Sequence, residues 1–138
     1  MLFRSSNLLK RGKLTPVIST ELRNTAGRAL IGRFDVESER AEYHLFAVAE
    51  KVDGTLDLTL ADLNVLEKST VFDGGRKTIE TDDKNERLVD YVDQLDVNND
   101  GVDEIITKES VYEGQAYKVW SFSKQLGWRS AHWERCGI

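Results

Sequence analysis

Asp96, Asn98 and Asp100 set oxygen-bearing side chains at alternate positions of one short stretch, Asp96-Val97-Asn98-Asn99-Asp100-Gly101-Val102-Asp103-Glu104. A tightly curved backbone aims such alternate side chains at one point, which is the arrangement a calcium loop needs. With Asp96 as position 1, Asn98 and Asp100 take positions 3 and 5. Gly101 at position 6 admits a backbone conformation that a side chain would resist. Val102 at position 7 offers its carbonyl, and Glu104 at position 9 closes the shell. Calcium takes six to eight oxygens at about 2.3–2.6 Å, a number this set approaches with water. The expected ligands are therefore Asp96, Asn98, Asp100, Val102 and Glu104, and the expected cofactor is Ca2+. The competing reading is an acidic Asx-type turn that binds no metal, because turns also favour Asn, Asp and Gly.

The residues beyond the loop decide its kind. An EF-hand would want an apolar residue at position 8, a bidentate Glu at position 12 and an exiting helix. Here those positions are Asp103 and Thr107, and the exit, Glu104-Ile105-Ile106-Thr107-Lys108, is β-branched and strand-like. A dockerin-type repeat fails for want of the same helix. A calcium loop between two strands remains. The stretch from Asp96 to Ile106 closely resembles the loop of FG-GAP and VCBS repeats, the blade units of integrin-α-like propellers, where Asp-x-Asn/Asp-x-Asp-Gly-x-x-Asp/Glu precedes aliphatic residues. That resemblance implies β-blade architecture, a bound calcium ion, a structural or adhesive role and a periplasmic or extracellular setting. The Tyr112-Glu113-Gly114 turn and the aromatic strands after it look like the segments C-terminal to the loop in bacterial proteins of this type.

Other chemistry is thinly represented. The two histidines, His44 and His132, lie far apart in the sequence and have no metal-ligand spacing; each reads as structural. Ser110, Ser121, Ser123 and Ser130 lack a nucleophile-elbow context. The single cysteine, Cys136, excludes an internal disulfide and a multi-cysteine zinc site, and nothing near it would depress its pKa. No Walker loop or Gly-x-Gly-x-x-Gly is present, and Asp73-Gly74-Gly75 reads as a turn. Paired carboxylates leave a glycosidase open on composition alone, but those carboxylates already have a purpose in the loop. The expectation is a non-catalytic module for structure, adhesion or protein–protein contact. Its alternatives are a glycan-binding module that stacks sugars on Trp120, Trp128 or Trp133, or the accessory domain of a hydrolase.

Composition bounds the partners. A chain of 138 residues, 40% hydrophobic and 31% charged, suits one domain with a real core. No apolar run is long enough to cross a membrane as a helix. A net charge of −5 argues against general nucleic-acid affinity. The acidity is local, since ten carboxylates and only two basic residues, Lys84 and Arg87, lie between Glu80 and Glu104, a net of −8. Such a field attracts divalent cations. The first thirteen residues carry Arg4, Lys10, Arg11 and Lys13, no acid and no secretory apolar core. They read as a basic lead-in, assigned to residues 1–20, ahead of one all-β domain over 21–138.

An internal repeat supports the blade resemblance. Phe34-Asp35-Val36-Glu37-Ser38-Glu39 aligns with Leu95-Asp96-Val97-Asn98-Asn99-Asp100 at an offset of about 61 residues. Asp35, Glu37 and Glu39 repeat the acceptor positions, but Arg40 replaces the glycine, so this copy reads as degenerate. Strands are expected at 28–34, 43–49, 56–60 and 65–71, with a hairpin at Asp53-Gly54. Four more are expected at 88–95, 104–109, 117–122 and 128–133, and part of 83–91 is expected to be helical. Each copy, about 27–71 and 88–134, becomes a four-stranded antiparallel meander. Two blades cannot close a propeller, so the expected fold is an all-β sandwich of two blade-like sheets, the other possibility being part of a longer propeller.

Overall fold

Two of the hairpin turns are written directly in backbone angles. Asp53 and Gly54 have φ of 50° and 82°, and Gly74 and Gly75 have 57° and 78°. Two successive left-handed residues give the turn whose twist matches the strands on either side. The computed structural model describes residues 12–23, 27–81, 83–132 and 136–137. Among these residues there are eleven strands, a single 3-10 turn at Asp83–Asn85 and no α-helix.

The strands form two antiparallel sheets. The first holds β1 (Lys13–Leu14), β2 (Ile18–Glu21), β3 (Arg28–Glu37), β4 (Ala41–Val52), β5 (Thr55–Asp73) and β6 (Arg76–Thr81), in the order β1-β3-β4-β5-β6 with β2 also on β3. The second holds β7 (Leu88–Leu95), β8 (Glu104–Val111), β9 (Gly114–Ser123), β10 (Gly127–His132) and β11 (Cys136–Gly137), in the order β10-β9-β8-β7 with β11 also on β9. The chain thus forms the expected two-sheet, all-β sandwich.

The sheets hold six and five strands where four each were expected, with β1 and β2 added on β3 and β11 on β9, and three further details differ from the expectation. The strands anticipated at 56–60 and 65–71 are one strand of 19 residues, β5. The segment 61–64 between them pairs regularly with β4, and the irregularity lies inside the first expected strand, as a bulge: Val48 pairs with Leu60 and Ala49 with Leu58, so Thr59 is the extra residue. The bulge sends Leu58 to the outer face and Leu60 to the inner one, although strict alternation would put them together. Next, β6 was not anticipated, because its Arg-Lys-Thr-Ile-Glu-Thr sequence has no apolar stripe; it pairs only with the far end of β5, from Lys68 to Asp73. Lastly, the segment 83–91 contributes only the 3-10 turn before β7 begins at Leu88. The expectations for Arg4, Lys10, Arg11 and Trp133 fall outside the described residues.

The core lies where the sheets face each other. Ile31 of β3, Phe46 and Val48 of β4 and Leu60 of β5 meet Val89 of β7 and Ile105 of β8, with Leu22 and Ala29 completing the cluster. Around it the inner faces are polar and joined by ion pairs. Arg87 reaches Asp62 of β5 at 2.7 Å and Glu109 of β8 at 2.9 Å, and Lys118 of β9 meets Glu109 at 2.8 Å. Arg33 of β3 holds Asp35 and reaches across to Asp90 of β7. Glu50, 4% exposed, accepts from Arg23, from the Thr59 hydroxyl and from the Trp128 indole.

The outer face of the larger sheet has the opposite character. The register places Leu30, Gly32, Phe34 and Val36 of β3 beside Tyr43, Leu45, Ala47 and Ala49 of β4, and these beside Leu58, Ala61, Leu63 and Val65 of β5. Charged residues occur only at its ends: Arg28 and Lys51 at one, with Glu21 of β2 opposite Arg28, and Glu67 at the other, where β5 runs on to Asp73.

Candidate functional site

The loop is delivered by the β7–β8 hairpin. Leu95 pairs with Glu104, so residues 96–103 bulge from the hairpin's end between two fixed strands. Inside the loop, the acidic and amide side chains organise the backbone. Asp96 accepts from the Asp100 N–H through Oδ1 at 3.1 Å and from the Gly101 N–H through Oδ2 at 2.9 Å. Asn98 Oδ1 accepts from the same Asp100 N–H at 3.1 Å, and Asp100 Oδ1 accepts from the Val102 N–H at 2.9 Å. Glu104, buried at 3% exposure, accepts from the Val97 N–H at 2.8 Å and so staples the loop's exit to its entry. Gly101 has φ of 85°, the left-handed conformation anticipated for position 6, and Asn99 has φ of 59°.

All five expected ligand positions thus belong to one hydrogen-bonded loop, in which Asp96 and Asn98 share the Asp100 N–H and Asp100 accepts from the Val102 N–H. Among the described residues, no three His, Cys, Asp or Glu side chains stand grouped as a ligand set.

The loop is also fastened to the other sheet, which the sequence did not indicate. The Asp103 N–H donates to the Leu22 carbonyl at 2.8 Å, and Val102 bridges Arg23. Gln94 gives its amide to the Glu21 carbonyl at 2.8 Å and to Asp103 Oδ2 at 2.7 Å, and accepts from the Tyr91 hydroxyl at 3.1 Å. Burial holds the Tyr91 phenol above its ordinary pKa, reinforced by the charges of Asp93 and Asp103. Arg23 continues the link, donating to Glu50 and lying 3.5 Å over the Phe122 ring. Residue spacing gave no hint of this, because the connection is made by backbone atoms and one amide.

The degenerate copy is not a loop. Asp35 and Glu37 belong to β3, and the reversal is a short turn over Ser38, Glu39 and Arg40, closed by the Ser38 N–H on the Ala41 carbonyl at 2.8 Å. Asp35 is already held by Arg33 at 3.1 Å and by His44 Nδ1 at 2.7 Å. Glu37 meets Lys68, whose hydrogen bond, and then its charge, holds the Glu37 carboxyl below its usual range. Without the glycine the chain keeps extended pairing to Glu37↔Glu42, and the acceptors are spent on cations of the protein itself.

Of the tryptophans considered as stacking platforms, Trp120 and Trp128 point their N–H groups inward. Trp120 donates to Thr107 Oγ1 at 3.0 Å and Trp128 to Glu50 Oε2 at 3.3 Å, and both pack on the core. Trp128 also meets Phe122 edge-on, with ring centroids 5.5 Å apart. Among the described residues, no helix is long and apolar enough to cross a membrane. No family model, curated protein or solved structure matches the chain.

Proposed function

We propose that this chain is a non-catalytic calcium-binding β module, similar in its loop to FG-GAP and VCBS repeats, in which the ion supports structure, adhesion or protein–protein contact. The observation that carries this reading is the shared frame of Asp96, Asn98, Asp100 and Gly101. Three consecutive alternate acceptors curve the backbone around themselves, with the glycine in the conformation the pattern demands. The donors suit calcium, since carboxylate, amide and carbonyl oxygens are the hard ligands it prefers. A carboxylate oxygen that accepts one N–H retains a second lone pair for an ion. Asp96, Asn98 and Asp100, the Val102 carbonyl and Glu104 would hold Ca2+, which would neutralise the loop and stiffen the point where residues 21–23 join the β7–β8 hairpin. A site of extracellular grade, with Kd of roughly 0.1–1 mM, fills where calcium is millimolar, so a periplasmic or extracellular setting belongs to the proposal.

Calcium titration of metal-stripped protein tests it, with calorimetry and thermal unfolding in parallel. The expected result is one ion per chain and about 1.4 kcal/mol of stabilisation at ten times Kd, a rise of about 5 °C in Tm. Asp100→Ala should abolish both. Two ions per chain would return Asp35, Glu37 and Glu39 to consideration. Neither heat nor a Tm change at several millimolar calcium would leave the loop an acidic turn.

A further inference from the structure

The larger sheet is covered on its inner face by the second sheet, but its outer face is the more uniformly apolar of the two. On the inner side β3 and β4 carry Arg33, Asp35, Glu42, His44 and Glu50, whereas the outer side of β3, β4 and β5 has no charge between its ends. Leu58 and Leu63 are 61% and 54% exposed there, Leu30 and Val65 are exposed beside them, and Leu14 of β1 extends the face past β3. Antiparallel sheets with one wet face place polar residues on it; this one reverses that pattern. Three strands about 4.8 Å apart, each presenting some ten residues at about 3.4 Å, make a face of roughly 490 Å² in projection. Contiguous apolar patches on monomers rarely exceed a few hundred Å². With the relief of the side chains and Leu14 of β1 added, the face approaches the roughly 800 Å² per partner of a standard-size interface without reaching it.

The occupant is indicated by the charges. Arg28 and Lys51, offset in part by Glu21 of β2 opposite Arg28, lie at the end where β4 runs into the Asp53-Gly54 turn and leave it net basic, and Glu67 lies at the opposite end, beside Ala41. An isologous face-to-face pair has its two-fold axis in the plane of contact. If that axis runs across the strands, the two copies meet head to tail, and the basic end of each faces the acidic end of the other. We infer that the chain forms a symmetric dimer through this face, with the β3-β4-β5 surfaces of two copies packed against each other and their ends reversed. This does not depend on calcium.

Sedimentation velocity across roughly 1–100 μM protein tests it. The expected mass is twice the 15.7 kDa of the chain. Leu63→Lys places two charges in the centre of the contact and should weaken association by at least about a hundredfold. Because Leu63 is exposed in the single chain, Tm at the lowest concentration should be unchanged. Leu126→Lys, equally exposed but in the β9–β10 turn, should leave the dimer intact. Lys51→Glu should weaken association several-fold, and the exchange Lys51→Glu with Glu67→Lys should restore it. A monomer throughout the range, or a dimer indifferent to Leu63→Lys, overturns the proposal. Failure of the exchange to restore association overturns the reversed-end arrangement.

Discussion

Arg87→Met is expected to remove about 2 kcal/mol of folding stability, less than the roughly 3–5 kcal/mol of a fully buried ion pair because Arg87 and Asp62 are only partly buried and solvent screens them. Arg87 forks onto Asp62 with both terminal nitrogens at 2.7 Å and also donates to Glu109 at 2.9 Å. Those two carboxylates hold the guanidinium pKa further above its already high value, the Asp62 hydrogen bond contributing most. Removing the cation leaves Asp62 without its planar, bidentate partner between the sheets, while Glu109 keeps Lys118. Urea unfolding of the variant measures the loss. Adding Asp62→Asn should return part of it, because the carboxylate left unpaired is then neutral. A single-variant loss below about 1 kcal/mol would mean that solvent already screens the cluster, as it does for surface pairs.

Phe46→Ala should cost more, about 3–5 kcal/mol, by a different route. Phe46 is 1% exposed and sits among Ile31, Val48 and Ile105 at the centre of the contact between the sheets. The core of fully buried side chains is small, so neighbours from the two sheets have little freedom to close over the vacated space. Domains of this size are stable by only about 5–15 kcal/mol, so this variant should melt close to ambient temperature. Leu63→Ala, measured in dilute solution, is the contrast and should change stability by less than about 0.5 kcal/mol. Equal losses at the two positions would contradict the assignment of inner and outer faces.

The sequence made some of this architecture plain and hid other parts for definite reasons. β4, β7, β8 and β9 were legible because β-branched and aromatic residues recur there between turn signals. The Asp53-Gly54 hairpin was legible because few residues tolerate two successive positive φ values. β5 was read as two strands because Asp62 and Asn64 interrupt its apolar stripe on the inner face, where Arg87 satisfies them. β6 escaped notice because neither face of it is buried. At the candidate site, Asp96, Asn98, Asp100 and Gly101 stood out through short-range spacing, the kind of information a single chain carries well. The attachment of that loop to Glu21, Leu22 and Arg23 depends on contacts between residues far apart in the chain and on backbone atoms, which spacing does not encode. The aligned copy at Asp35 shows the reverse error: similar residue types, but Arg40 in place of a glycine, give a strand and a short turn.

That attachment also bears on the order in which the chain assembles. Most pairings in the two sheets join neighbouring strands through short connections, and such contacts form early. Closing residues 21–23 onto Gln94 and Asp103 is different: Gln94 bonds the Glu21 carbonyl across a separation of 73 residues. Bringing ends so distant together costs about 4 kcal/mol in chain entropy by the logarithmic rule, before any bond formed there compensates. The two sheets should therefore be largely formed before this clasp shuts, and the clasp should be the first part of the sandwich to open. In amide exchange under native conditions, the Asp103 N–H should be released well ahead of those in the centre of β4; equal protection would place the clasp inside the cooperative core instead.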